Sequence, residues 1–244
     1  MRRFKGILCF CAAAALWGAP AARAEEPGVE LEAGFDYSGR YIFRGVDLLG
    51  RRPALLPRLT VTRGGLSAYY EGYGGEIGRG GPDYEEHDFG IEYGLTAGRL
   101  SLTLGSVAYT YRKPVDYEDE LEIYAVSDLD VPLSPALSVY YDAKGFGGGY
   151  ASLEVSHELP LVADRLSLGL AGSLGYDLGY YSDVYGTGPS RGWNDARLGA
   201  DLAWQAFPAV SFHLLAERSI ALDVMDAVGE RDQTFYTVGT ALSF

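Results

Sequence analysis

Apolar residues recur at every second position along most of this chain. Between residues 165 and 176, Leu166, Leu168, Leu170, Leu174 and Tyr176 share one parity, and Ser167, Gly169, Ala171, Ser173 and Gly175 share the other. Residues 194–205 repeat the pattern, with Ala196, Leu198, Ala200, Leu202 and Trp204 set against Arg197, Gly199, Asp201 and Gln205. A period of two is the signature of β-strands with two unlike faces. Twelve such segments are legible: 28–43, 54–63, 66–77, 87–97, 100–111, 120–131, 136–143, 148–158, 165–176, 194–205, 209–218 and 233–244. A soluble sandwich would also alternate, but here the second face is small or charged rather than uniformly polar. That suits an enclosed aqueous interior.

Segment length and link length sharpen the prediction. A tilted strand crosses a bilayer in about 9–11 residues, and most of the segments reach that. Short turns at Gly64-Gly65, Gly98-Arg99, Pro132–Pro135, Leu159–Asp164 and Phe207-Pro208 alternate with longer links at 44–53, 78–86, 112–119, 144–147, 177–193 and 219–232. An even strand count with alternating short and long connections predicts an all-β fold, a transmembrane antiparallel up-and-down β-barrel of about twelve strands. Both termini then lie on the short-turn side, the periplasmic side of an outer-membrane barrel. The chain ends on Phe244, a terminal aromatic on an amphipathic strand. That feature predicts recognition by the barrel-assembly machinery.

The N-terminus follows another rule. Met1-Arg2-Arg3-Phe4-Lys5 precedes an apolar run from Gly6 to Gly18, then Ala22-Arg23-Ala24. Basic, apolar, then small-x-small reads as a cleavable secretory signal over residues 1–24, leaving a barrel over 25–244. Cys9 and Cys11 both lie in that signal, so the exported chain has no thiol chemistry. Loss of residues 1–24 removes four bases and no acid, so the net charge moves from −13 to −17. Nucleic acid is excluded as a partner by that balance. Expected partners are outer-membrane lipid and lipopolysaccharide, with small hydrophilic solutes or ions inside.

Aromatics and glycines fit the same frame. Tyr41, Phe43, Tyr73, Tyr109, Tyr111, Tyr141, Tyr150, Tyr176 and Tyr180 fall near the long links and are expected to form one interfacial belt; Trp204, Phe207 and Phe244 form the other. Gly34, Gly90, Gly94, Gly105, Gly169, Gly175, Gly199 and Gly239 take inward parity, where a missing side chain leaves room in the lumen.

Candidate chemistry lies on that inward parity. The lumen residues expected to set selectivity are Asp36, Arg40, Arg44, Arg58, Glu71, Glu92, Glu122, Glu154, Arg197 and Asp201, with Asp142 and Glu217 as further acids. Rings of one charge sign select ions by sign, so an acid-rich lumen predicts cation preference. The alternative is a network of paired charges that fills the interior and leaves a structural or ligand-binding barrel acting through its outer loops. Residues 219–232 carry Ile220, Leu222, Val224, Met225 and Val228 between acids. That composition predicts a loop folded inward or a short rim helix, against a plain β-extension. The acid runs Asp83–Asp88 and Asp116–Glu120 read as solvated loops, without the twelve-residue calcium pattern. No cofactor or metal is implied. Enzyme motifs are missing, and of the histidines only His87 falls near the long-link side; His157 takes outward parity and His213 inward parity. The chain is therefore read as non-enzymatic.

The segment Phe35–Val46 resembles the first strand of a family of bacterial outer-membrane porins, the TorF-like family. The likeness rests on Tyr41-Ile42-Phe43-Arg44-Gly45, then Pro53 to Pro57, then Tyr69 to Gly75, and covers residues 28–77. It implies a barrel and passive transport, with no assigned solute. Arg44, inward and followed by Gly45, is placed to anchor the first long link through a carboxylate, a structural role as readily as a solute contact.

Overall fold

Alternation along the chain becomes the two faces of one closed sheet. The computed structural model describes residues 28–78, 80, 83–112, 118–145, 147–162, 165–181 and 191–244; the expected signal segment, residues 1–24, and Asp116 lie outside them. The barrel strands are β1 (Val29–Ser38), β4 (Ala54–Arg63), β5 (Leu66–Glu76), β6 (Asp83–Ala97), β7 (Leu100–Tyr111), β8 (Glu120–Leu129), β9 (Ala136–Lys144), β10 (Gly149–Val162), β11 (Leu166–Asp177), β12 (Gly192–Phe207), β13 (Val210–Ala221) and β14 (Gln233–Ser243). Each pairs antiparallel with its neighbours, and β1 closes the barrel by pairing with β14 as well as β4. The last residue joins the closure, since Phe244 and Leu31 exchange backbone hydrogen bonds of 2.9 and 3.1 Å. Closure leaves no free sheet edge.

The outward face is apolar and uncovered. Ile91, Leu104, Ile123, Leu137, Leu153, Leu198, Leu214 and Val238 are all exposed. A water-soluble protein would bury such a band; on a barrel it is the face that meets acyl chains. Its borders are aromatic. Tyr37, Tyr141, Trp193 and Tyr236 are exposed near the long-link end, and Tyr93, Trp204, Phe207, Phe212 and Phe244 near the short-turn end.

Several expectations need correction. Segment 28–43 is not one strand. β1 stops at Ser38, and residues 39–53 fold into the barrel around a small hairpin, β2 (Ile42–Phe43) and β3 (Val46–Asp47). Alternation there reflects packing inside the lumen rather than a lipid face. Tyr41, Tyr73, Tyr109, Tyr150 and Tyr180, expected in the interfacial belt, are buried inside. Tyr73, Tyr109 and Tyr150 take the inward parity of their strands, Tyr41 and Tyr180 are carried in by connecting links, and all five hydroxyls find carboxylates there. The run Asp83–Asp88 is not a solvated loop but the start of β6, with Tyr84, Glu86 and Asp88 buried inward. Residues 219–232 combine two of the expected outcomes. β13 extends to Ala221, and helix α1 (Asp223–Val228) then buries Val224 and Met225.

Candidate functional site

The lumen has two unlike halves. Near the short turns its wall is small and hydroxylated. Thr62, Ser101, Thr103, Ser156, Ser167 and Ser211 point inward yet remain only half-buried. Inward side chains that stay solvent-accessible line a wet vestibule.

At mid-height the charged residues meet across strands. Arg58 of β4 pairs with Asp36 of β1. The Nε2 of His213 lies 3.0 Å from the second oxygen of Asp36, and its Nδ1 lies 3.6 Å from Asp201. Glycines make this possible. A side chain at Gly34 would strike the Arg58 guanidinium, and one at Gly239 would strike both Asp36 and His213. The same device serves the tyrosines: Tyr69 lies across Gly90, and Tyr124 across Gly105. The Tyr124 hydroxyl donates to Glu92 at 2.6 Å and the Tyr73 hydroxyl to Glu71 at 2.8 Å. A cavity of about 50 Å³ lies here, lined by Asp36, Arg58, Glu71, Tyr73 and Glu217 and bounded by Tyr41 and Ile42. At roughly 10–15 Å³ per ordered water, it holds a few waters and nothing larger.

The half towards the long links is packed. Tyr41 and Leu49 of the inserted loop lie among Ala54, Tyr73 and Tyr84; Val46 lies among Tyr180, Tyr181, Val224 and Met225. Arg44 is the loop's deepest anchor. Its Nη1 and Nη2 donate to the two oxygens of Glu122 at 2.6 and 2.8 Å, a bidentate pair of the strongest kind. Its Cζ lies 4.6 to 5.3 Å from the ring centres of Phe43, Tyr140, Tyr150 and Tyr180. Burial disfavours the guanidinium charge, but the Glu122 carboxylate outweighs it and pushes the pKa well above its ordinary value. The backbone is gripped too. The Arg44 carbonyl accepts from Asn194 Nδ2 at 2.6 Å and from the Tyr181 hydroxyl at 3.2 Å, and the Ile42 carbonyl accepts from Arg197 at 2.7 Å. Arg44 itself sits at φ 46°, uncommon for a residue with a Cβ. Gly45 follows at φ 89°, where a Cβ would press within 3.0 Å of Met225 and Asp195.

All ten residues expected to line the lumen take inward positions. Asp36, Arg44, Glu92, Glu122, Arg197 and Asp201 are buried; Arg40, Arg58, Glu71 and Glu154 are half-buried. They do not form one ring. Asp36, Arg58 and Asp201 belong to the mid-height network, Glu71 and Glu92 are held by tyrosines, and Arg44 with Glu122 anchors the inserted loop. Arg40 pairs with Asp47 within that loop at 3.4 Å. Arg197 faces Asp195 at 3.5 Å and Glu217 at 4.0 Å. Asp195 shares the inward parity of Arg197 and Asp201 but sits where the segment meets its long link; the β11–β12 register shift between Leu174 and Tyr176 turns Asn194 inward beside it. Parity counted along the strand fails at such a bulge. Glu86 and Asp88 were missed because an acid run looks like a loop, although Tyr84, Glu86 and Asp88 alternate with outward Glu85 and His87. Among the described residues, no group of three acids, histidines or cysteines is placed to hold a metal ion.

No family model and no curated protein sequence matches this chain. Solved structures do. The KdgM porin, solved in complex with disordered oligogalacturonate, superposes with a TM-score of 0.56 at 12% identity, over 88% of this chain and 99% of that one. An outer-membrane channel from Pseudomonas putida F1 gives 0.54 at 9% identity, over 93% and 100%. The NanC porin gives 0.53 at 11% identity, over 88% and 99%. At these identities the likeness establishes a shared outer-membrane-type barrel fold.

Proposed function

We propose that this protein is a bacterial outer-membrane channel for passive diffusion of small hydrophilic cations, held closed in the described conformation by its first long loop. The observation that carries the reading is the lumen itself: a hydroxyl-lined vestibule leading to a wall where acids outnumber bases. Around the central cavity and the inserted loop, Arg44, Arg58 and Arg197 have carboxylate partners, while Glu71 and Glu92 are hydrogen-bonded by tyrosines instead. A fixed negative potential of this kind draws cations and repels anions. The fold shared with porins supports the channel, and the exposed apolar band supports the membrane setting. Reconstitution in planar bilayers tests the proposal. Discrete conductance steps with a cation-selective reversal potential are expected, and replacing Glu71 and Glu92 together by Gln should move that potential towards zero. Pure folded protein without conductance, both as wild type and with the Arg44–Glu122 pair broken, would remove the channel.

Residues 1–24 are cleaved on export, so N-terminal sequencing of the membrane-inserted protein should begin at Glu25. Both termini face the periplasm, Phe244 engages the assembly machinery, and lipopolysaccharide surrounds the long-link end. The resemblance of residues 28–77 to the TorF-like porins supports the same reading. The protein is non-enzymatic in this reading: His213 lies between two aspartates, and His87 hydrogen-bonds a phenol, Tyr70, at 2.9 Å, with Glu85 at 2.9 Å. Incubation with lipopolysaccharide should release no lipid product.

One observation favours a second reading. Loop 39–53 is gripped at Ile42 and Arg44 by Arg197 and Asn194 of β12 and at Phe43 by Tyr181 of the link after β11, as a permanent plug would be. A structural barrel would show no conductance even after the Arg44–Glu122 pair is broken.

A further inference from the structure

The walls that hold Arg44 do not depend on Arg44. Glu122 comes from β8, Tyr109 from β7, Tyr140 from β9, Tyr150 from β10, and Tyr180 from the link after β11. Bonds that bypass the arginine set their orientations. The Tyr109 hydroxyl donates to Glu122 Oε2 at 2.8 Å, Tyr150 donates to Asp195 at 2.9 Å, and Tyr180 donates to Glu120 at 2.9 Å. Of the groups that touch the guanidinium, only Phe43 travels with the loop. When the loop withdraws, a carboxylate with four phenols around it stays behind in the channel wall, with the carboxyl groups of Glu120 and Asp195 nearby.

That arrangement has a definite chemical preference. Aromatic faces bind weakly hydrated organic cations and gain little from a small ion that keeps its water shell. A planar guanidinium matches a carboxylate bidentately and stacks on rings, which an ammonium does only in part. The cage already contains such a cation, at bidentate distances, supplied by the chain itself.

We propose that the Glu122–Tyr109–Tyr140–Tyr150–Tyr180 cage is a binding site for solutes that carry a guanidinium group, and that Arg44 occupies it as a tethered stand-in while the channel is closed. The site rests on the channel reading, since a solute reaches it only through the lumen. It gives that reading a substrate class, and it makes solute binding and loop docking mutually exclusive. A guanidinium solute competes with Arg44 for Glu122 and so favours the withdrawn loop.

The test uses Arg44→Ala in the full-length chain, folded in detergent, with ethylguanidinium chloride as the probe and sodium chloride at matched concentration as the control. Ethylguanidinium at millimolar concentration should raise the thermal unfolding transition of R44A saturably. It should leave the wild type, whose cage is filled, unmoved. Ethylammonium should act more weakly, and adding Glu122→Gln should weaken the ethylguanidinium effect about tenfold or more. If R44A fails to fold, Arg44→Gln keeps the side-chain length without the charge and takes its place. A response of equal size in the wild type, the single variant and the double variant would overturn the site, as would no response in the folded variant. Conductance is read separately on the same preparations. Binding without conductance overturns the channel and leaves the cage; conductance that ethylguanidinium does not block, without a thermal response, overturns the cage and leaves the channel.

Discussion

Glu122 is the residue on which the closed loop depends most. It is fully buried, and it accepts two hydrogen bonds from Arg44 and one from Tyr109. Removing one member of a buried ion pair strands the other, at a typical cost of about 3–5 kcal/mol. Here the strandable group sits on a loop, so the expected outcome of E122Q is release of the loop rather than loss of the barrel. Protease sensitivity within residues 39–53 should rise, while the barrel strands stay protected. Gly90 makes the opposite case. The Tyr69 ring occupies the space where its side chain would go. Gly90→Val should destabilise the barrel itself by about 1–3 kcal/mol, the usual cost of overpacking, read as a lower denaturation midpoint in urea. A similar loss in E122Q, with its loop still docked, would place the anchor outside the loop's control.

At the level of elements, closure of the long-link end is shared between two insertions from distant parts of the chain. Loop 39–53 supplies Tyr41, Val46 and Leu49, and α1 supplies Val224 and Met225. The helix is one and a half turns long and has no side-chain N-cap, so its own propensity cannot hold it. It stays because Met225 packs against Gly45 at the loop's positive-φ turn. Met225→Asp would bury a carboxylate without a partner in an apolar cluster. The expected result is undocking of residues 222–232 together with a looser first loop, visible as faster amide exchange at both segments. Exchange confined to the helix would show that the two insertions are independent. Their coupling was not legible from composition. The apolar content of 219–232 pointed to an inward fold, and nothing local pointed to residue 45 as its partner.

For the whole molecule, the two lumen halves divide the work. A vestibule of hydroxyls and small residues occupies the short-turn end, and packed side chains fill the other. Excising residues 40–50 and joining the ends through a short Gly-Ser turn removes that packing and leaves every barrel strand intact. Conductance should then rise severalfold over the wild type with cation preference retained, because the acidic wall remains. Loss of selectivity in that variant would show that the loop, and not the wall, sets the sign.

Much of this was readable from the chain alone, for a specific reason. A strand exposes its side chains with a period of two whatever it pairs with, so residues such as Leu198 and Asp201 declare their faces without reference to a neighbour. Twelve segments of that kind, with short and long links in alternation, imply a closed barrel because open edges are not tolerated in lipid. The inward position of eight of the ten expected lumen residues follows from the same parity, while Arg40 and Arg44 are inward because their loop is. What parity cannot say is which inward groups meet. Arg44 finds Glu122 across 78 residues and His213 finds Asp36 across 177, and both meetings depend on barrel closure and register. Nor does parity distinguish a strand that runs on from a loop that turns inward. Tyr41 and Phe43 alternate either way, and only a lumen wide enough to accept them, lined with carboxylates for the tyrosine hydroxyls, decided that they fill the barrel instead of facing lipid.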